Sequence, residues 1–289
     1  MGYLYLVISL LSGATKGFFG KKVSAVVSGT RDAARTNLVR MVLCTLISVL
    51  LLLTGVEKAS LVPDGAAVWI GILAGIFLSA FTITWLLAVQ HGAFMLISVA
   101  QMFGVVVTLI CSALVFGTRP TLWQYVGVAL LLAAVLVMGS YSKKLKGGIT
   151  VLAVVLLVLC GLSSGLYDFT LKLFTAYSQS SKSMLNLLTY LVSAVILGGM
   201  VLTVKPQGEP VKMKKIFLPI LLMSLCLFLN SYFKAFSTQY LPDAQLYPTY
   251  QAGGLILSAI MAAVFFGEKI TLRCLIGMVL AFAAILLLR

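Results

Sequence analysis

Ten stretches of roughly twenty residues, each nearly free of charge, follow one another along the chain with only short polar connections between them. A run of that length spans the hydrocarbon of a bilayer as an α-helix. The runs are continuous in Leu, Val, Ile and Ala rather than alternating. Lipid offers a backbone no hydrogen-bond partners, so each run must satisfy its own amides as a helix rather than as a barrel strand. The expected spans are 3–20, 36–54, 67–89, 92–115, 121–140, 149–175, 183–204, 215–238, 242–265 and 271–288. With 61% of 289 residues apolar and 10% charged, a soluble fold would lack the polar surface to cover the rest. The fold class is therefore all-α integral membrane, as one structural domain.

A net charge of +14 would suggest nucleic acid for a soluble protein, but here most Lys and Arg residues sit in the short connections. They gather on the side of connections 1–2, 3–4, 5–6, 7–8 and 9–10, and the opposite side holds four, Arg289 among them. The positive-inside rule then makes the basic side cytoplasmic and places both termini outside. No nucleic-acid partner is expected. Cys44, Cys111, Cys160, Cys226 and Cys274 are scattered through apolar segments without paired spacing, and the chain has one histidine. Neither a disulfide framework nor a metal site is expected, and no cofactor. The first charge, Lys16, comes after the apolar run has begun, unlike a signal peptide, so the first helix is expected to stay in the mature protein.

A shift of 150 residues lays Gln101-Met-Phe-Gly104 on Gln251-Ala-Gly-Gly254, and 101–139 matches 251–289 at thirteen of 39 positions without a gap. The first helices of the halves correspond at an offset of 152, through Ser12-Gly13 and Ser164-Gly165. The chain therefore reads as two five-helix repeats, 1–140 and 141–289. Five crossings are odd, so the second copy enters from the opposite face and a pseudo-two-fold axis lies in the membrane plane. Inverted repeats of this kind build alternating-access transporters around a central cavity.

The stretch Leu241-Pro-Asp-Ala-Gln-Leu-Tyr-Pro248, the apolar helix after it, Phe266-Gly-Glu-Lys-Ile-Thr271 and a last helix opening on Leu275-Ile-Gly277 resemble the ending of the drug/metabolite transporter superfamily, EamA-like branch. The resemblance extends over the whole chain through the repeat. It implies a ten-helix secondary transporter whose cavity is lined mainly by helices 1, 3, 4, 6, 8 and 9. The first half departs from the motif, with Ser98 opposite Pro248 and Thr118 opposite Glu268. The outward termini expected from the loop charges also differ from the cytoplasmic termini usually drawn for the family.

Ionised groups inside a span cost about 2.5–3.5 kcal/mol on insertion scales, so they mark function or a partner. Lys16, Arg40, Asp168, Lys172 and Lys234 are such groups. Asp168 and Lys172, four apart, share a face with Ser164 and Thr175, and Asn230, Lys234 and Ser237 make a similar face in helix 8. Two readings stand for the lysines: their stems snorkel to the headgroups, or they line a cavity. Lys16 and Asp168 occupy equivalent positions in the two repeats and are expected to pair, either as a structural bridge or as a gated switch. Helix 9 offers Tyr247, Tyr250 and Gln251 on one face, with Pro248 expected to kink it and Gly254 a turn on. Gln101 matches Gln251 across the repeat. These ten residues, Lys16, Arg40, Gln101, Asp168, Lys172, Asn230, Lys234, Tyr247, Tyr250 and Gln251, form the candidate substrate site. Phe81 and Trp85, four apart, have two readings, an apolar or cation–π wall and, favoured, ordinary lipid or core contacts, while Glu268 is read as a loop bridge or cap and His91 as an interfacial residue. The pairs Gly13/Gly17 and Gly161/Gly165 are read as close helix packing.

No phosphate-binding loop, nucleophile elbow or metal cluster is present in the sequence, which argues against an enzyme. The expectation is a secondary transporter of a small polar organic metabolite, an amino acid or organic anion, in a bacterial cytoplasmic membrane. Protons are the candidate coupling ion, membrane lipids the surroundings, and a monomer is expected, with a homodimer as the alternative. A lipid or lipid-precursor flippase of the same fold is the second reading.

Overall fold

The computed structural model describes residues 1–27, 29–54, 62–91, 94–117, 121–139, 151–206, 213–266 and 271–287. The side chains of His91, Phe94 and Ser98 are outside that description, and so are Thr118, Glu268 and Lys269 entirely. Ten helices account for nearly all of it: α1 (Gly2–Ser24), α2 (Gly29–Leu53), α3 (Gly65–His91), α4 (Phe94–Phe116), α5 (Leu122–Gly139), α6 (Val151–Tyr177), α7 (Lys182–Thr203), α8 (Met213–Ser237), α9 (Asp243–Phe266) and α10 (Leu272–Leu287). Each apolar run is one helix, as hydrocarbon requires. α2 starts at Gly29 rather than at 36, because its polar first turns, Thr30 to Arg35, stay helical below the apolar part. α9 runs through Pro248, whose missing N–H removes only the bond to the Ala244 carbonyl in the opening turns. Gly117, at φ 62°, closes α4 in the left-handed conformation that glycine adopts at a helix C-terminus.

Among the described residues six helices, α2, α3, α6, α7, α8 and α9, are long and apolar enough by length and composition to cross a bilayer, and apolar stretches of 10–17 residues lie within α4, α5 and α10. Large apolar side chains such as Leu202, Leu114, Leu50 and Val195 point outward. This surface suits lipid, and water would penalise it.

The packing reproduces the repeat. α2 packs on α7, α4 on α9 and α5 on α10, each helix against its own counterpart, so these three pairs straddle the pseudo-two-fold axis. α1 packs on α8 as α3 packs on α6, the same contact made twice. A large core joins the six helices α1, α2, α3, α6, α7 and α8, with Leu78, Leu171, Phe174 and Tyr190 at its centre. A smaller one, rich in alanine (Ala134, Ala252, Ala259, Ala281, Ala284), holds α4, α5, α9 and α10. Small side chains there let backbones approach closely where apolar burial gives no drive in lipid. The cavity lies where the two groups meet.

Candidate functional site

A cavity of about 90 Å³ opens at mid-helix depth, lined from α1, α3, α4, α6, α8 and α9. That volume holds several water molecules. Its walls differ in character. Leu10, Leu78, Phe81 and Trp85 on α1 and α3 give apolar lining, while Gln101, Asn230, Gln251 and Ser258 on α4, α8 and α9 give polar groups.

The strongest interaction at the site is an ion pair between α8 and α6. Lys234 Nζ donates to Asp168 Oδ1 at 2.8 Å, with both side chains 6% exposed. The same ammonium sits 3.9 Å from the centroid of the Tyr250 ring. Tyr250 is in turn fixed by Asn230, whose Nδ2 donates to its hydroxyl at 2.6 Å and lies 2.7 Å from the Ser9 carbonyl. Ser9 Oγ donates back to the Asn230 carbonyl at 2.8 Å. Four helices, α1, α6, α8 and α9, are thus joined through polar groups at one wall of the cavity. Gly13 makes this possible, since a Cβ there would lie 2.6 Å from the Tyr250 hydroxyl and 2.9 Å from Asn230 Nδ2.

Lys16 also lines the cavity, and the expected pairing with Asp168 is not made. Asp168 is bound by Lys234, and the Lys16 ammonium stands 5.7 Å from the centroid of the Phe81 ring. Among the described residues no carboxylate lies within 4.0 Å of it. Seven of the ten candidates line the cavity: Lys16, Gln101, Asp168, Asn230, Lys234, Tyr250 and Gln251. Gln101 and Gln251, equivalent across the repeat, both do so.

The other three are placed elsewhere. Lys172 reaches the end of the bundle, where its Nζ is 3.1 Å from Asp243 Oδ1. Tyr247 is fully buried in the cluster of Leu6, Val105 and Leu246, and its hydroxyl donates to the Asp168 carbonyl at 2.7 Å. It shares Gln251's side of α9 by spacing, yet lies a turn below the cavity. Arg40 is buried outside the lining and donates through Nη1 to Asn37 Oδ1, while Asn37 Nδ2 donates to the Thr82 carbonyl at 3.1 Å.

Phe81 and Trp85, 8% and 7% exposed, belong to the large core and also form part of the lining, so the core and cavity-wall readings both apply. Tyr167 also lines the cavity, and its hydroxyl pairs with Ser231 Oγ, which donates to Asn186 Oδ1 at 2.9 Å. A signal for it was present: Ser164, Tyr167 and Asp168 stand at i, i+3 and i+4 on one helical face.

Two seams related by the repeat border the site, and they differ. In the α4–α6 seam the backbones touch. A Cβ on Gly165 would lie 2.3 Å from the Gly104 carbonyl oxygen, and Thr108 Oγ1 is 2.9 Å from the carbonyls of both glycines. The equivalent residues of the α1–α9 seam are Gly13, Gly254 and Ser258. There a Cβ on Gly254 would meet nothing within 4 Å, and Leu10 fills the space against Gly253 instead. Tyr250, where the first repeat has Ala100, wedges this second seam.

The sequence pattern of the EamA-like transporter family matches residues 1–140 and again residues 151–289. The chain belongs to the EamA-like transporter family. This EamA-like chain is accordingly a multi-pass integral membrane protein and a membrane transporter of the drug/metabolite type, in a family that is typically non-enzymatic. Its fold is similar to that of a crystallised protein 14% identical to it, with a TM-score of 0.72 over 99% of this chain and 95% of that one. No curated protein matches it.

Proposed function

We propose that this EamA-like protein is a secondary transporter that moves a small polar organic metabolite, an amino acid or organic anion, across a bacterial cytoplasmic membrane by alternating access. The observation that carries the reading is the pair of unequal seams beside a polar cavity: Gly104 on Gly165 in contact, Gly254 apart from Gly13. Two copies of one seam in two arrangements give an inverted repeat the means to expose a site to one face at a time. Lys16 and the paired glutamines supply groups that recognise a polar solute, and Phe81 and Trp85 supply an apolar wall. Protons are the coupling ion in this reading, and the protein acts as a monomer among its lipids, with the basic loops on the cytoplasmic side.

The test is uptake of a panel of radiolabelled amino acids and organic acids by proteoliposomes, with and without a pH gradient. Saturable uptake of at least one solute, enhanced by the gradient, is expected. If every water-soluble solute is excluded while a fluorescent phospholipid is scrambled between leaflets, the protein is a flippase and the reading falls.

A further inference from the structure

The charges that line the cavity narrow the solute further, on the strength of the transporter reading above. The described lining holds two cations and one carboxylate: Lys16, Lys234 and Asp168. Lys234 and Asp168 neutralise each other at 2.8 Å, and Tyr250 covers the ammonium at 3.9 Å. Both groups line the cavity, but each already has its countercharge. Lys16 is different. Its described partner is the Phe81 ring at 5.7 Å, and a cation–π contact at that distance compensates little of the cost of holding an ammonium inside a bilayer. Arg40 adds a second positive charge, buried outside the lining and again with no carboxylate within 4.0 Å among the described residues.

We infer that Lys16 is the docking point for a single carboxylate, and that the transported solute is a small organic monocarboxylate with an uncharged body. A zwitterionic amino acid fits less well, because its ammonium would enter a positive field in which Asp168 is already engaged. A dicarboxylate fits less well because its second charge meets no free cation in the described lining, of which Arg40 is not a part. Beyond the carboxylate, the amides of Gln101 and Gln251 suit a hydroxyl or carbonyl on the solute, and the apolar lining suits its hydrocarbon. Lys16 is thereby the residue that sets the charge of the cargo.

The test compares solutes built on one carbon skeleton. Lactate, alanine and malonate form one set, and 3-phenyllactate, phenylalanine and benzylmalonate another. Binding to the purified full-length protein is measured by thermal shift and calorimetry, on the parent, Lys16→Gln and Lys16→Arg. A hydroxy acid of at least one set is expected to bind at least tenfold more tightly than its amino-acid and dicarboxylate partners. Lys16→Gln is expected to weaken it at least tenfold, and Lys16→Arg to retain most of it. The inference is overturned if the amino acid or dicarboxylate binds as well as the hydroxy acid, if Lys16→Gln changes affinity by less than twofold, or if no hydroxy acid binds. The comparison among solutes on the parent decides the matter even where a variant does not fold. Binding with the expected preference but no uptake into proteoliposomes would fail the transporter reading and leave the assignment of Lys16 standing.

Discussion

Lys234 on α8 reaches across to Asp168 on α6 and donates to its Oδ1 at 2.8 Å, beside the Tyr167–Ser231 hydrogen bond that joins the same two helices. The pair therefore joins two parts of the bundle through the cavity wall. Burying two charges is costly, and removing one leaves the other uncompensated. Asp168→Asn is expected to destabilise the protein by about 3–5 kcal/mol. Asp168→Asn combined with Lys234→Gln is expected to recover much of that loss, since the double variant buries no lone charge. Thermal unfolding in detergent micelles measures both, and simple additivity of the two single variants would contradict the pairing.

The glycines of the two seams predict opposite responses to the same substitution. Gly165→Ala drives a methyl group into the Gly104 carbonyl, which is backbone and cannot rotate away. Overpacking of this kind costs about 1–3 kcal/mol. Gly254→Ala meets nothing within 4 Å, and in a helix interior the change favours folding by about 1 kcal/mol. The melting temperature is expected to fall for the first variant and to hold or rise for the second. Equal losses would mean that the seams are alike.

Outside the membrane, Asp64 ties the start of α3 to the connection between α6 and α7. Its Oδ1 accepts from the Ala67 N–H at 2.6 Å and its Oδ2 from the Gln179 N–H at 2.8 Å. Ser178 Oγ donates at 3.0 Å, and Ser180 Oγ accepts from the Asp64 N–H at 3.1 Å. Partial burial pushes the carboxyl upward, but the hydrogen bonds donated by Gln179, Ala67 and Ser178, with the bond to Ser180, outweigh it and hold the carboxyl below the usual carboxylate range. A depressed value means that the folded state favours the ionised form. The stabilisation is complete above the ordinary aspartate pKa of about 3.9 and is lost as pH falls below it. Asp64→Asn is expected to lower the melting temperature at pH 7, with the gap to the parent closing toward pH 3. A gap independent of pH would show that the carboxylate charge is not what anchors the connection.

How much of this was legible beforehand depends on what each residue type can signal. The helices, the repeat and seven of the lining residues could be read, because apolar length and intramembrane polarity are local properties of sequence. The partner of Asp168 could not. The repeat makes Lys16 and Asp168 equivalent, but residues equivalent under a two-fold meet only on the axis. The helices on the axis are the pairs α2/α7, α4/α9 and α5/α10, whereas α1 and α6 each pack on a helix of the other repeat. Phe81 and Trp85 left their readings open for a different reason. A ring suits a cavity wall, a core and lipid alike, and the hydroxyls nearest to them on α3, Ser79, Thr82 and Thr84, bond to carbonyls of their own helix. Arg40 shows the converse, since a charge in a span reports burial without saying that the burial is in a cavity. Tyr247 shares its helical side with Gln251, but the cavity ends between them.

Accessibility of Gly254 tests the central claim most directly, because this position faces the cavity and has room for a side chain. Gly254→Cys in sealed vesicles is exposed to a membrane-impermeant thiol reagent from one face and then the other, with the parent protein as the reference for its own cysteines. Labelling from one face only, altered in rate by a transported solute, is the predicted result. Equal labelling from both faces would indicate a continuous pore, and no labelling from either would mean that the cavity is not a route across the membrane.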